Sequence, residues 1–313
     1  MPLFGRNRPT PPTEEERRAA EVDLERIRQG GIPLGAEQRL SRLADAGAPF
    51  FTSDLSAKEY ALAQAGGLQP LAQVMGSSVV QEGWAARQGG YSWSTGEMHA
   101  LSEPWNLARD RAFDRLRQEA ELAGADGVIG IEISGGSLAG PGNVELVVFG
   151  TAVRDTTLRS RERRPLGMCT LSGQEVDKLH RIGAEVCGVV GHTTVYAVQL
   201  GMSSAWVMNS GGVFSGAARQ NVEIHEIAQG VYDARNRAML EVRRQGNAVE
   251  ANEIVISTLR HSIEHREYEQ NGYTHHFFYV TMNVLGTAIR LGAREPYPAP
   301  LPGPVMSINL GAS

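Results

Sequence analysis

Hydrophobic residues in this chain follow two periods. Ile227, Val231, Ala234, Ala238 and Val242 are spaced by 4, 3, 4 and 4, which is one face of a 3.6-residue helix. Ala108, Ala112, Leu116 and Ala120 repeat the pattern, with Ser102 as expected N-cap and Pro104 in the first turn. Gly124 and Gly246 lie where helices commonly end. Ahead of each helix runs a β-branched stretch, with Val74, Val79 and Val80 in one case and Val186, Val189, Val190 and Val195 in the other, predicting a strand. After each helix two further strands are expected, Val128–Ser134 with Val144–Thr151 and Ile254–Glu267 with Tyr273–Thr287. Pro141-Gly142-Asn143 and Asn271-Gly272 supply the turns.

These elements recur in order. Leu55-Ser56-x-x-Glu59 returns as Leu171-Ser172-x-x-Glu175, 116 positions later. Ala108-Arg109-x-Arg111-Ala112 returns as Ala234-Arg235-x-Arg237-Ala238 at offset 126, and Gly150-Thr151-Ala152-Val153-Arg154 as Gly286-Thr287-Ala288-Ile289-Arg290 at offset 136. Each increase of ten marks an insertion in the second copy. The expected fold class is therefore α+β: two tandem β-α-β-β domains, each an antiparallel sheet with one packed helix. Residues 1–46 form an N-terminal helical extension, with helices expected at Glu14–Gln29 and Ala36–Ala46. The first domain covers 47–155 and an arginine-rich linker 156–165. The second domain, with an extended hairpin, covers 166–291, and a proline-rich tail 292–313.

Composition narrows the function classes. With 30 basic and 35 acidic residues the formal charge is −5, so no global field favours nucleic acid or an anionic membrane, and neither is expected as a partner. No window reaches the ~18 apolar residues of a membrane span, and the N-terminus lacks the apolar core of a signal peptide. A cytoplasmic protein is expected. Two cysteines, Cys169 and Cys187, make no CxxC motif and read as small buried hydrophobes.

The string Ala108-Arg109-x-x-Ala112 to Gly124-Ala125-Asp126-Gly127-Val128-Ile129-Gly130, closed by Phe149-Gly150-Thr151-Ala152-Val153, resembles the YbjQ-like family, which carries a heavy-metal-binding label. Its return at Ala234–Ile256 and Leu285–Ile289 is similar more loosely. The resemblance implies a β-α-β-β unit that assembles into pentameric rings, with no established reaction. Where family members carry Gly-Gly-Arg-Ser, this chain has Gly89-Gly90-Tyr91-Ser92 and Gly211-Gly212-Val213-Phe214-Ser215, so both copies lack that arginine. The expected partner is thus the chain itself, as a homo-oligomer. The N-terminal helices and the proline-rich tail are available to a further protein.

Catalytic constellations are absent from the sequence: there is no Walker A, Rossmann, HExxH or EF-hand pattern. Histidine is the informative type, since five of the eight are His225, His261, His265, His275 and His276. A two-residue turn at Asn271-Gly272 places Glu267 opposite His276 and His265 opposite Phe278. Alternation then puts His261, His265, Glu267 and His276 on one face. His265, Glu267 and His276 are the candidate ligands for a divalent transition metal, Zn²⁺, Cu²⁺ or Ni²⁺. The same residues also suit a solvated hairpin arm or an oligomer contact. Trp84, Tyr91, Trp93 and Trp105 concentrate aromatics before the first helix and favour subunit packing over a ligand pocket.

Overall fold

The computed structural model describes residues 13–44, 53, 55–83, 94–137, 142–156, 167–201, 204–205, 223–270 and 273–293. Two N-terminal helices, α1 (Glu14–Arg28) and α2 (Leu34–Ala44), precede α3 (Ala57–Ala65), β1 (Leu68–Gln81), β2 (Gly96–Glu97), α4 (His99–Leu122), β3 (Gly127–Ser137) and β4 (Asn143–Asp155). There follow β5 (Gly167–Met168), α5 (Gly173–Arg181), β6 (Glu185–Gln199), α6 (His225–Ala248), β7 (Glu253–Gln270) and β8 (Tyr273–Arg290). The result is a mixed α+β protein. Among the described residues, no helix is long and apolar enough to cross a membrane.

Two four-stranded sheets form, in the orders β1-β4-β3-β5 and β2-β6-β8-β7. The long strands pair antiparallel: β3 with β4 and β7 with β8 as hairpin neighbours, while β1 and β6 each reach past the long helix and the strand that follows it to pair with β4 and β8. The two shortest strands cross over: β2, ahead of α4, pairs with β6 of the second sheet, and β5, ahead of α5, pairs in parallel with β3 of the first.

Packing explains the helical periodicity. Ala112, Leu116 and Ala120 of α4 bury against Ala72, Val74, Val128 and Val148 of the first sheet. Ala234, Ala238 and Val242 of α6 bury against Val190, Val198, Val280, Met282 and Val284 of the second. Small residues let helix and sheet approach closely; a Cβ at Gly76 would run into the Ala112 carbonyl oxygen. The other side of α4 meets the far face of the second sheet, where Met98 and Leu101 join Val195, Ala197, Phe277 and Tyr279. One helix therefore lies between two sheets.

The start of α4 corrects the sequence reading. Met98, not Ser102, is the N-cap, and Pro104 lies inside the helix. Ser102 is buried; its hydroxyl donates to the Met98 carbonyl (3.1 Å) and accepts from the Val195 amide (2.9 Å). Its partner is a strand almost a hundred residues away, which local rules do not see. The recurring Leu-Ser-x-x-Glu string proves to be a capping box at both sites. Ser56 with Glu59 and Ser172 with Glu175 each satisfy one another's backbone amides and open α3 and α5. The four strands after the helices extend the expected ones by at most one residue at the start and by three or four at the end.

Candidate metal centre

The candidate centre lies where the long β7–β8 hairpin leaves the three-stranded part of the second sheet. β7 and β8 each run 18 residues, against 11 and 13 for β3 and β4. β6 stops pairing at Gln199 with Phe277; just beyond it the Leu200 amide still donates to the His276 carbonyl (3.3 Å), and from His275 to the tip β8 is laddered to β7. The register is the one the sequence implies: Glu267 faces His276, His265 faces Phe278 and Tyr268 faces His275. The Asn271-Gly272 turn itself lies outside the described residues.

His265, Glu267 and His276 converge. One donor atom from each lies within 4.8 Å of the others. His265 Nε2 is 3.0 Å from His276 Nδ1, so one ring donates an N–H to the other's lone pair. Glu267 Oε1 lies 3.5 Å from His276 Nδ1 and 3.8 Å from His265 Nε2. His265 is held flat by stacking, with ring centroids 4.5 Å from Phe278 and 5.2 Å from His276. His276 is only 4% exposed, while Glu267 stands open to solvent. His261 shares the face further along the arm, opposite Met282, outside the trio.

The donor set fits a transition ion. Tetrahedral zinc with bonds of about 2.0–2.1 Å places its ligand atoms about 3.3 Å from one another. The three separations need shifts of roughly half an ångström or less to meet that figure. Two imidazoles and one carboxylate match borderline cations, and three protein ligands leave a fourth position open. Binding requires both imidazole lone pairs, so the ion would displace the proton now shared between the rings.

Other candidates fall elsewhere. Cys169 is buried, and burial pushes its thiol up to about 12, far from the thiolate that a nucleophile or ligand needs. Burial also raises Cys187. Trp105 packs against Val80, Ala108, Val144 and Leu146. Trp84, Tyr91, Trp93, both Gly-Gly connections, linker residues 157–166 and tail residues 294–313 lie outside the described residues.

Two charged residues are buried at the helix–sheet contacts: Arg109, for which a helix position makes a salt-bridged or solvated face the default expectation, and Glu119, which the sequence did not single out. Arg109 of α4 is 7% exposed, and desolvation lowers its pKa against the opposing pull of Asp110. Glu119 is buried; desolvation raises its carboxyl although the Met75 amide (2.9 Å) and Arg39 of α2 (2.9 Å) both bind it. The available signal was a charged residue in phase with an alanine stripe.

A sequence model of the family described as "Putative heavy-metal-binding" (YbjQ) matches residues 70–156. The chain is 33% identical over 218 residues to the encapsulin nanocompartment protein Rv1762c of Mycobacterium tuberculosis, covering 67% of this chain and 76% of that protein. It is 43% identical over 67 residues to a UPF0145 protein of Halorubrum lacusprofundi, covering 21% of this chain and 64% of the relative. A UPF0145 protein of Methanococcus vannielii is 40% identical over 58 residues, 18% of this chain and 54% of the relative. No solved structure matches the chain.

Proposed function

Because the chain belongs to the YbjQ-like family of UPF0145 proteins, we propose that it is a non-enzymatic cytoplasmic protein that assembles with itself into rings as a scaffold. Its two tandem YbjQ-like units would occupy residues 47–155 and 166–291. The observation that carries this reading is the numerical match between the two sheets. α3 and α5 are both nine residues long at offset 116, and α4 and α6 both 24 at offset 126. Register irregularities fall at Pro70/Ala72 in β1 and Val186/Gly188 in β6, again at offset 116. The crossed strands β2 and β5, each paired with the other sheet over two residues, support contact between such units through sheet edges. The printed name of the Mycobacterium tuberculosis relative, a nanocompartment protein, favours assembly as well. Electron microscopy of the full chain tests this. Closed particles of five chains are expected, following the fivefold symmetry of the resemblance, and dispersed single chains would refute it. The N-terminal helices and the tail remain available to a protein partner.

A second reading rests on its own observation, the 4.8 Å convergence of His265, Glu267 and His276. The chain would bind or sense a divalent transition metal there. Untagged protein dialysed against Zn²⁺, Cu²⁺ and Ni²⁺ should retain about one ion per chain by elemental mass spectrometry. The double variant His265→Ala/His276→Ala should lose it. Equal retention by the variant would remove this site.

A further inference from the structure

Within the chain, α4 grips the second sheet along β6. Met98 and Leu101 share an apolar patch with Val195 and Ala197. Asn106 clasps the strand edge, its Oδ1 accepting from the Thr193 amide and its Nδ2 donating to the Thr193 carbonyl, both at 2.9 Å. Arg109 is buried alongside Gly191. On the strand, Gly191, Thr193, Val195 and Ala197 are all buried.

The corresponding positions in the other halves of the repeat are more exposed, although Ile227 also packs against the core of its own sheet. At offset 126 the helix residues Leu101, Ser102, Asn106 and Arg109 become Ile227, Ala228, Tyr232 and Arg235 of α6. At offset 116 the strand residues become Met75, Ser77, Val79 and Gln81 of β1. All four strand residues are exposed, Met75 at 48% and Val79 at 56%. Tyr232 is 65% exposed, Arg235 is exposed, and Ile227 and Ala228 are half-buried where Leu101 and Ser102 are buried. One head-to-tail contact is thus complete, and both unused halves of a second lie on the same molecule.

We infer that α6 of one copy docks on the outer face of the first sheet of a second copy, repeating the relation of α4 to the second sheet. This rests on the self-assembly reading and names the surfaces that perform it. The chemistry of the repeated contact changes from a polar clasp to apolar packing. Tyr232 and Ala228 replace Asn106 and Ser102, and they meet Met75 and Val79. Glu145 lies across the ladder from Val79, and Glu132 from Phe149, which offers Arg235 anionic partners on that face. β1 is an end strand of its sheet. The N-terminal hairpin reaches it through Arg39 at the Gln73 carbonyl, and Arg115 of α4 takes the Ser77 carbonyl; Val79 and Gln81 lie beyond both. A head-to-tail contact between copies closes into a ring or runs on as a filament. Since every chain contributes two units, a ring built this way holds an even number of them.

The test uses the full-length chain. In Ser77→Cys/Tyr232→Cys, mild oxidation should give covalent dimers and a ladder of higher multimers on a denaturing gel, with neither single variant doing so. Val79→Glu, at a site exposed in the single chain, should keep the wild-type melting curve and lose assembly at concentrations where the wild type is fully assembled. An assembled wild type with no cross-linked ladder and an unchanged mass for Val79→Glu would overturn this interface while leaving self-assembly standing. A wild type that runs as a single chain would overturn both.

Discussion

α4 and α6 have the same length and lie on sheets whose three long strands run in the same order, β1-β4-β3 and β6-β8-β7, yet among the described residues α4 packs on two sheets and α6 on one. The side chains at the two helix–sheet contacts differ in size. α4 comes closest to its sheet at its middle, where Gly76 receives the Ala112 carbonyl, and Trp105 fills the space towards Val80 and Val144 near its start. α6 has Val231 in place of Trp105, and its Gly230 sits directly on Val198. A wedge under the first two turns of α4 leaves its outer side presented to the second sheet. Helix–sheet spacing follows the side chains at the contact, so the difference between an inner and an outer helix is written in a few residues.

The largest expected effect comes from closing the gap at Gly76. Gly76→Ala forces a methyl into the Ala112 carbonyl and the Leu116 amide, backbone atoms that cannot swing aside, and should cost about 3 kcal/mol in urea denaturation. Gly230→Ala meets only the Val198 side chain and gains helix propensity of about 1 kcal/mol, so its net cost should be smaller. Equal losses would refute this account of the two contacts. Next comes the polar clasp. Asn106→Ala strips partners from the Thr193 amide and carbonyl and should cost about 1–3 kcal/mol. Tyr232→Ala should leave the stability of the single chain unchanged.

The smallest effect separates two side chains at equivalent positions, the buried Glu119 and the half-buried Gln245. Glu119 accepts from the Met75 amide, and Gln245 accepts from the Gly191 amide while donating to its carbonyl. A carboxylate has no N–H to give, so Glu119 takes a cation instead, Arg39 of the N-terminal hairpin. Burial raises the Glu119 carboxyl above 4.5 in the folded chain. The folded state then keeps a proton that the unfolded chain has released, and stability falls as pH rises from about 4.5 through the raised value. Glu119→Gln should flatten that slope in denaturation curves measured across the window. An unchanged slope would place the titration elsewhere.

Much of the fold was legible because its signals are local. Alanines at every third or fourth position gave both long helices, and Asn271-Gly272 gave the register that joins Glu267 to His276. That register survives because the bulge in β7 lies between Ile256 and Thr258, farther from the turn than any of the three ligands. What stayed illegible depends on distant partners. Two-residue strands such as β2 and β5 carry no periodicity, and nothing near Ser102 announces Val195. The charge at Glu119 makes sense only beside Arg39, eighty residues earlier. The Ser-x-x-Glu capping boxes were readable, but nine-residue helices add little periodicity to draw attention to them.

The measurement that bears most directly on the account is native mass spectrometry of the untagged full-length chain at micromolar concentration. The account predicts an assembly of five chains of 33.8 kDa with no substantial single-chain population. A spectrum dominated by the 33.8 kDa chain alone would contradict it.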